Sequence, residues 1–355
     1  MTDTRLVSPA ELEEERAAEV VLRPRRLQDF VGQAQIREQV HILIEAARGR
    51  VEPVDHVLLY GPPGLGKTTL ALIIANEMGV QARLTSGPAL EHQGMLASIL
   101  TSLEDRDVFF IDEIHRLNRA VEEALYPAME DLAFDFVAGK GAGAQTLRLS
   151  LRPFTVIGAT TRAGALGGPL RDRFGVTFRL DYYAPDELAA IVVRSAQLLE
   201  VSLEPEGARI LAQRARGTPR VVNRLLRRAR DYAQVRAEGR IDSEVAVAAL
   251  EVLGVDQLGL DDMDRRVLQV LCGALSGHPA GIQTIAVSVQ EEPETIEDVI
   301  EPYLIRLGLV VRTPRGRLAT AGAYRHLGES PPAGTPGLAE AQPGPEGAQA
   351  SLFTG

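Results

Sequence analysis

The sequence predicts an α/β protein: a P-loop parallel-sheet domain, then a small all-helical domain and a C-terminal winged helix. Three observations carry this expectation. Short apolar runs alternate with helical stretches over the first half of the chain, the pattern of a parallel sheet with crossover helices. After about residue 184 the strand pattern stops and helical patterns follow one another. The segment before residue 328 then reads as three helices and two short extended pieces around Thr313-Pro314-Arg315-Gly316-Arg317. That order suits a helix-turn-helix relative with a β-hairpin wing.

Taken in order, residues 1–20 are acidic and polar and read as a flexible or weakly helical leader, with no apolar run of a signal peptide. From about 25 to 52 the pattern is helical, with Ile36, Val40, Leu43, Ile44 and Ala47 on one face. "VDHVLLYG" is a buried strand and "KTTLALIIANEMG" a helix closed by Gly79. "DVFFIDEIHRL" reads as strand then helix, and "PFTVIGATTRAG" as another buried strand. "FVAGKGAGAQTLRLSLRPF" reads as a β-hairpin with a glycine-rich turn at Gly141-Ala142-Gly143-Ala144, which lacks the features of a phosphate loop. The expected division is 1–183 for the sheet domain (leader 1–20, hairpin about 133–152), 184–255 for the helical domain and 256–328 for the winged helix. A disordered, Pro/Gly/Ala-rich tail is expected at 329–355.

Composition narrows the class. Hydrophobic residues make up 45% of 355 residues, aromatics only 5%, and tryptophan is absent, so the cores must be aliphatic. Cys272 is the only cysteine, which excludes an internal disulfide framework and a thiolate zinc cluster; it reads as a core thiol. No run approaches the roughly 18 apolar residues of a membrane span, and a soluble cytoplasmic protein is expected. The formal charge of −10 argues against a chain that coats nucleic acid over its whole surface. A local basic patch remains open: Leu304 to His326 holds five arginines, Arg306, Arg312, Arg315, Arg317 and Arg325, and no acid.

The strongest motif is "GPPGLGKTT", Gly61 to Thr69, which fits G-x-x-x-x-G-K-[ST] between a strand and a helix. Its glycines turn backbone N–H groups onto phosphate oxygens, Lys67 reaches the outer phosphates and Thr68 serves Mg²⁺. Asp112 and Glu113 end the next apolar strand, and suit orientation of the metal and polarisation of an attacking water; alone, they are also the acids of a helix N-terminus. Thr160 and Thr161 end a further strand where a hydroxyl could stand near the γ-phosphate, Thr161 being preferred. Arg171 or Arg173 could act as an arginine finger in a neighbouring subunit, or pair with Asp172 or Asp181. Nine arginines lie between Arg209 and Arg236; Arg220 is singled out because it follows Thr218-Pro219 at a helix start. His115 reads as structural, not as a metal ligand.

Together these pieces resemble the AAA+ ATPases. "LRPRRLQDFVGQ", "GPPGLGKTTLA", "IDEIHRLNRAVEEALYPAMED", "GATTRAG", "LRDRFG" and "RTPRGR" resemble more closely the RuvB family of Holliday-junction branch-migration motors, over about residues 20 to 327. The resemblance implies an ATP- and Mg²⁺-dependent hydrolase working as a homohexameric ring on duplex arms of four-way junctions in recombination and repair. The implied partners are RuvA and, in a larger complex, RuvC. It implies that Leu22 and Arg23 hold the adenine side, and that Gly64, Lys67, Thr68 and Thr69 grip phosphates and Mg²⁺. It also places Glu130, Asp131 and Leu132 near nucleotide, makes Arg173 the trans-acting finger, and has Tyr183 and Arg220 close the site. The hairpin would dock RuvA, with Phe134, Phe136, Leu147 and Leu149 shaping it. Arg312, Arg315 and Arg317 would lie along DNA phosphates with acids kept away, the resemblance favouring Arg312 and Arg317. Two other classes fit parts of the pattern: a clamp-loader-like or protein-remodelling ATPase, and a nucleotide-gated DNA-binding regulator.

Overall fold

Strand β1 (Val57–Tyr60) is a four-residue apolar run, and the fold of the first half is built around it. It pairs in parallel with β6 (Thr155–Thr160) on one side and β7 (Val176–Arg179) on the other. Strands β2 (Ala82–Ser86) and β3 (Val108–Asp112) complete a five-stranded parallel sheet of order β2-β3-β6-β1-β7. Side chains alternate across such a sheet. Leu58, Phe109, Ile111 and Val156 face a core shared with helices α4 (Gln93–Ser102) and α5 (Arg119–Glu130). Helix α3 (Lys67–Met78) packs on β3 and β6, and α2 (Ala34–Arg50) packs on α3.

The computed structural model describes residues 16–138, 145–275 and 277–336. They fall into two compact units: the described parts of Glu13–Leu199 with Gly217–Arg220, and of Glu200–Arg216 with Val221–Gly355. The first unit also holds helix α1 (Arg16–Leu22), the antiparallel hairpin β4 (Ala133–Ala138) and β5 (Gln145–Ser150), the short α6 (Gly168–Arg171) and α7 (Pro185–Leu198). In the hairpin Phe134 is buried and Leu149 exposed, and Phe136 stands opposite Leu147 in register. The glycine-rich tip, 139–144, lies outside the described residues.

Three expectations are corrected here. The continuous helical pattern over 25–52 resolves into a short 3-10 turn, Leu27–Asp29, and α2 from Ala34; Pro24 ends α1, since a residue before proline is driven out of the helical region. The end of the leader takes the helical of its two readings, but α1, Arg16–Leu22, runs past the expected boundary at 20. Beyond residue 184 the strands do not stop altogether. In the second unit β8 (Ser202–Leu203) and β9 (Arg240–Ile241) pair in parallel, too short to show as a period-2 pattern.

That second unit contains α8 (Pro205–Gln213), most of α9 (Pro219–Arg236) and α10 (Ser243–Val252). There follow α11 (Asp262–Gln269), α12 (Ile282–Val289), the short α13 (Pro293–Thr295) and α14 (Glu301–Arg306). The hairpin β10 (Val310–Thr313) and β11 (Gly316–Ala319) and then α15 (Ala321–His326) complete it. Ala280 and Arg317 exchange backbone hydrogen bonds at 2.8 and 2.7 Å, a single antiparallel bridge beside the two-stranded hairpin. Gly316 has φ +133°, and a Cβ there would lie 2.3 Å from the Ala280 carbonyl oxygen, so the wing closes only around glycine. Cys272 is buried in this core, as expected. Arg216, 3% exposed, donates from Nε to the Gly259 carbonyl at 2.9 Å, pairs with buried Asp264 and lies 4.7 Å over the Tyr303 ring. Removing one partner of such a buried pair costs about 3–5 kcal/mol. Residues 329–336, expected as the start of the disordered tail, instead turn back, and the Ala321 N–H donates to the Pro336 carbonyl at 3.0 Å. Residues 337–355 lie outside the described residues.

One half-buried histidine ties the sheet to helix α5. The Val156 N–H donates to His56 Nδ1 at 2.9 Å, so Nε2 carries the proton and donates to the Met129 carbonyl at 3.1 Å. Burial holds its pKa below the ordinary 6.5, against the opposing effects of the Met129 carbonyl and Asp55. An unfolded chain takes up this proton near pH 6.5 and the folded ring resists it, so stability is lost as pH falls through about 6.5. Thermal melts between about pH 5 and 7 should therefore show a shallower pH slope for His56→Gln than for wild type. Equal slopes would exclude the role given to His56.

Candidate nucleotide and DNA sites

The parallel register brings three separate motifs to one sheet edge. Tyr60, the last residue of β1, pairs with Thr160 at the end of β6, and Ile111 of β3 pairs with Gly158 of β6. The loop after β1 therefore starts beside both the Asp112-Glu113 pair and the threonines, and the Gly61 N–H donates to the Thr160 carbonyl at 3.2 Å. Ligands of open α/β sheets bind at such carboxyl edges, where strand order reverses.

Glycine is required in this loop. Gly61 has φ +141°, and a Cβ there would meet the Leu180 carbonyl oxygen at 2.3 Å; Gly64 and Gly66 also lie in the left-handed region. Lys67 opens α3, is 8% exposed and donates from Nζ to the carbonyls of Gly61 and Pro62, both at 2.8 Å. Burial pushes its pKa down to about 8, Arg220 adding to the fall while Asp112 and Glu113 oppose it. A loop of turned-in amides around a desolvated ammonium fits the phosphates of a nucleotide, whose negative charge would relieve the lysine. Thr68 and Thr69 follow on the first turn of α3, half-buried.

Asp112 Oδ1 accepts from the Glu113 N–H at 2.9 Å. Glu113 itself sits at φ +47°, an uncommon conformation for a non-glycine residue, and its carboxylate meets Arg116 at 3.0 Å. Gly87 makes room for this turn: a Cβ there would lie 2.5 Å from the Glu113 carbonyl oxygen. Thr160 is buried; its hydroxyl is bonded to His115 Nδ1 at 2.9 Å and accepts from the Arg162 N–H at 3.0 Å. Thr161, the residue preferred from sequence, is exposed. His115 is thus part of the structure, and among the described residues no group of three His, Cys, Asp or Glu could hold a metal.

The remaining predicted residues form two groups. Around the loop, the Tyr183 hydroxyl donates to the Leu65 carbonyl at 3.2 Å and its ring occupies the space beside Gly32. Burial pushes its pKa well up. The Arg220 N–H donates to the Gly64 carbonyl at 3.4 Å, and its guanidinium meets Glu19 at 2.8 Å. Arg23 meets the same glutamate at 3.1 Å, and the buried Leu22 accepts from Arg194 through its carbonyl at 2.9 Å. Burial pushes the Glu19 carboxyl up, but Arg220 and Arg23 together hold it below the ordinary range. Glu19 is missing from the sequence expectation, which treated residues 1–20 as leader. Its spacing of four from Arg23 on a helix was the available signal; its pairing with Arg220 was not visible.

The second group surrounds Arg173. Its guanidinium meets Glu130 at 3.0 Å and the Pro169 carbonyl at 2.6 Å, and Asp131 pairs with Arg148 at 2.8 Å. Leu132 follows at φ +52°. Arg171 binds the Ala163 and Leu166 carbonyls at 2.5 and 3.4 Å, so it braces the loop after β6 and pairs with neither aspartate suggested for it.

On the winged helix the acids are not kept away. Glu301 is buried, and Arg312 and Arg317 both grip its carboxylate, at 2.7–2.8 and 2.9 Å, with Glu297 at 3.4 and 3.5 Å. Burial would raise the Glu301 pKa, but the two arginines override this and lower it. The segment 304–326 is free of acids only in sequence; the fold supplies them from α14 and the turn before it. Arg317 is a largely covered anchor, Arg312 is half exposed, and Arg315 at the turn is exposed.

With this geometry in place, comparisons decide the family. The model described as the Holliday junction DNA helicase RuvB P-loop domain matches residues 22–180. The RuvB AAA lid domain matches 183–256 and the RuvB C-terminal winged helix domain matches 257–328. The chain belongs to the RuvB family. The solved Thermotoga maritima RuvB Holliday junction branch migration motor is 46% identical, with a TM-score of 0.80, covering 88% of this chain and 100% of that one. Two mutants of the same Thermotoga protein align at TM-scores of 0.81 and 0.79, each 46% identical over 88% of this chain and 99% of theirs. RuvB-family chains are P-loop ATP hydrolases with a lid and a winged helix, and the described residues carry that architecture. Among the described residues no helix is long and apolar enough to cross a membrane.

The depressed lysine has a measurable consequence. Phosphate favours the ammonium form, so nucleotide affinity should fall as pH rises through about 8, by up to about tenfold per unit above it. Calorimetry in buffers of different ionisation enthalpy should show proton uptake on binding near pH 8.5 or so. Binding without uptake would mean that the lysine is already charged there.

Proposed function

We propose that this chain is the ATP-driven motor of Holliday-junction branch migration, a hexameric ring that moves duplex arms with RuvA, and with RuvC in a larger complex. The observation that carries the reading is a single chain joining two parts. One is a sheet edge where Lys67, Asp112, Glu113 and Arg220 surround a glycine loop; the other is a winged helix with arginines on its wing.

ATP supplies the phosphoryl group whose hydrolysis drives the motion. Lys67 and the loop amides hold its phosphates, while Thr68 and Asp112 hold Mg²⁺. Glu113 takes the proton of the attacking water, and Thr161 hydrogen-bonds near the outer phosphate. Leu22, Arg23 and Tyr183 bracket the nucleoside, with Arg220 closing over the phosphates from the start of α9. Arg173 serves a neighbouring subunit's nucleotide together with Glu130, Asp131 and Leu132. A ring follows because a finger used in trans needs a neighbour at every site. On the wing, Arg312, Arg315 and Arg317 contact phosphates, which position a protein without reading sequence. The β4–β5 hairpin docks RuvA, and deleting 138–146 should abolish stimulation by RuvA.

A synthetic four-way junction tests the whole reading. With ATP, Mg²⁺ and RuvA, wild type should dissociate it and Glu113→Gln should not. ATP hydrolysis without junction movement would point instead to a loader or protein-remodelling ATPase. Arg312→Ala or Arg315→Ala should each weaken binding to all duplex sequences alike and reduce the salt slope by about one. A sequence-selective loss would contradict phosphate contact.

A further inference from the structure

Helix α5 carries Glu122, Tyr126 and Glu130 at intervals of four, which places them along one helical face. The opposite side, Val121, Ala124, Leu125, Ala128 and Met129, is buried in the core. Arg173, just beyond α6, lies against the polar stripe. Its guanidinium carbon stands 4.2 Å from the centroid of the Tyr126 ring. Its Nη2 donates to Glu130 at 3.0 Å and its Nη1 to the Pro169 carbonyl at 2.6 Å, while Nε is buried without a hydrogen-bond partner. The ring is fixed in turn: the Tyr126 hydroxyl donates to Glu122 at 2.6 Å.

We infer that Tyr126 is a positioning residue for the Arg173 finger: its ring is the platform that holds the guanidinium in the direction from which it serves the neighbouring subunit. This rests on the trans-finger reading above. A free arginine side chain samples many rotamers, and a finger left free would lose that freedom in every encounter with its target. Stacking on the ring face, with one N–H of each Nη anchored, removes most of that freedom beforehand. One N–H on each Nη nitrogen remains for the incoming phosphate oxygens. Glu122 acts one step further back by fixing the ring.

The test compares ATP hydrolysis by full-length protein on duplex DNA for four variants: Tyr126→Leu, Tyr126→Phe, Arg173→Ala and the Tyr126→Leu/Arg173→Ala double variant. Tyr126→Leu should lower kcat about tenfold, the scale of a partly desolvated cation–π contact, with KM for ATP changed less than about twofold. Tyr126→Phe keeps the stacking face and should retain at least about half of kcat. The double variant should be no slower than Arg173→Ala alone, because a residue acting only through Arg173 has nothing left to act on. Tyr126→Gln replaces the leucine variant if that one assembles poorly. A double variant slower than Arg173→Ala, or a Tyr126→Leu protein with full kcat beside an inactive Arg173→Ala, would overturn the inference and leave the finger in place. Full kcat in Arg173→Ala would overturn the finger reading itself.

Discussion

The Lys67 ammonium is held by the carbonyls of Gly61 and Pro62, at 2.8 Å each, inside a loop that shields it from water. Much else in the first unit follows from keeping that cation buried. The loop curls around it only because glycines occupy the left-handed positions. Asp112 and Glu113 must be near enough to offset its desolvation, and the parallel pairing of β3 with β6 and β6 with β1 brings them there. Arg220 adds a second positive charge, and Glu19 compensates it. The resting site is a balanced set of charges that a nucleotide's phosphates would rearrange.

The wing follows the same logic. A buried carboxylate, Glu301, holds Arg312 and Arg317 together on the winged helix. Without it the two guanidiniums, opposite each other in the hairpin register, would repel. With it they stand together beside an exposed Arg315. The acid that weakens the local positive field is also what makes a cluster of arginines possible on so short a hairpin.

Arg173 offers a third case. Helix α5 supplies a ring, Tyr126, and a carboxylate, Glu130, and α6 the Pro169 carbonyl, to hold its guanidinium. On the wing and at Arg173 the carboxylate that holds the arginine comes from another element of the fold.

The sequence by itself determined the glycine loop and its lysine, the strand that ends in Asp112-Glu113, the winged-helix order and the hairpin around Pro314-Gly316. These are local: a motif of adjacent residues or a period of 2 or 3.6 is written along the chain. It also singled out Arg220 by its place at a helix start, and left Arg171 and Arg173 as alternatives between which the family resemblance chose. Only the tertiary structure decided what each cation rests against. Glu19 reaches Arg220 across 201 positions, Glu130 reaches Arg173 across 43, and Glu301 reaches Arg317 across 16. A charge count over a window reads neighbours in sequence, whereas the Coulomb energy depends on distance in space, which folding sets. That is why the wing looked free of acids and is not, and why Glu19, inside the expected leader, pairs with Arg220.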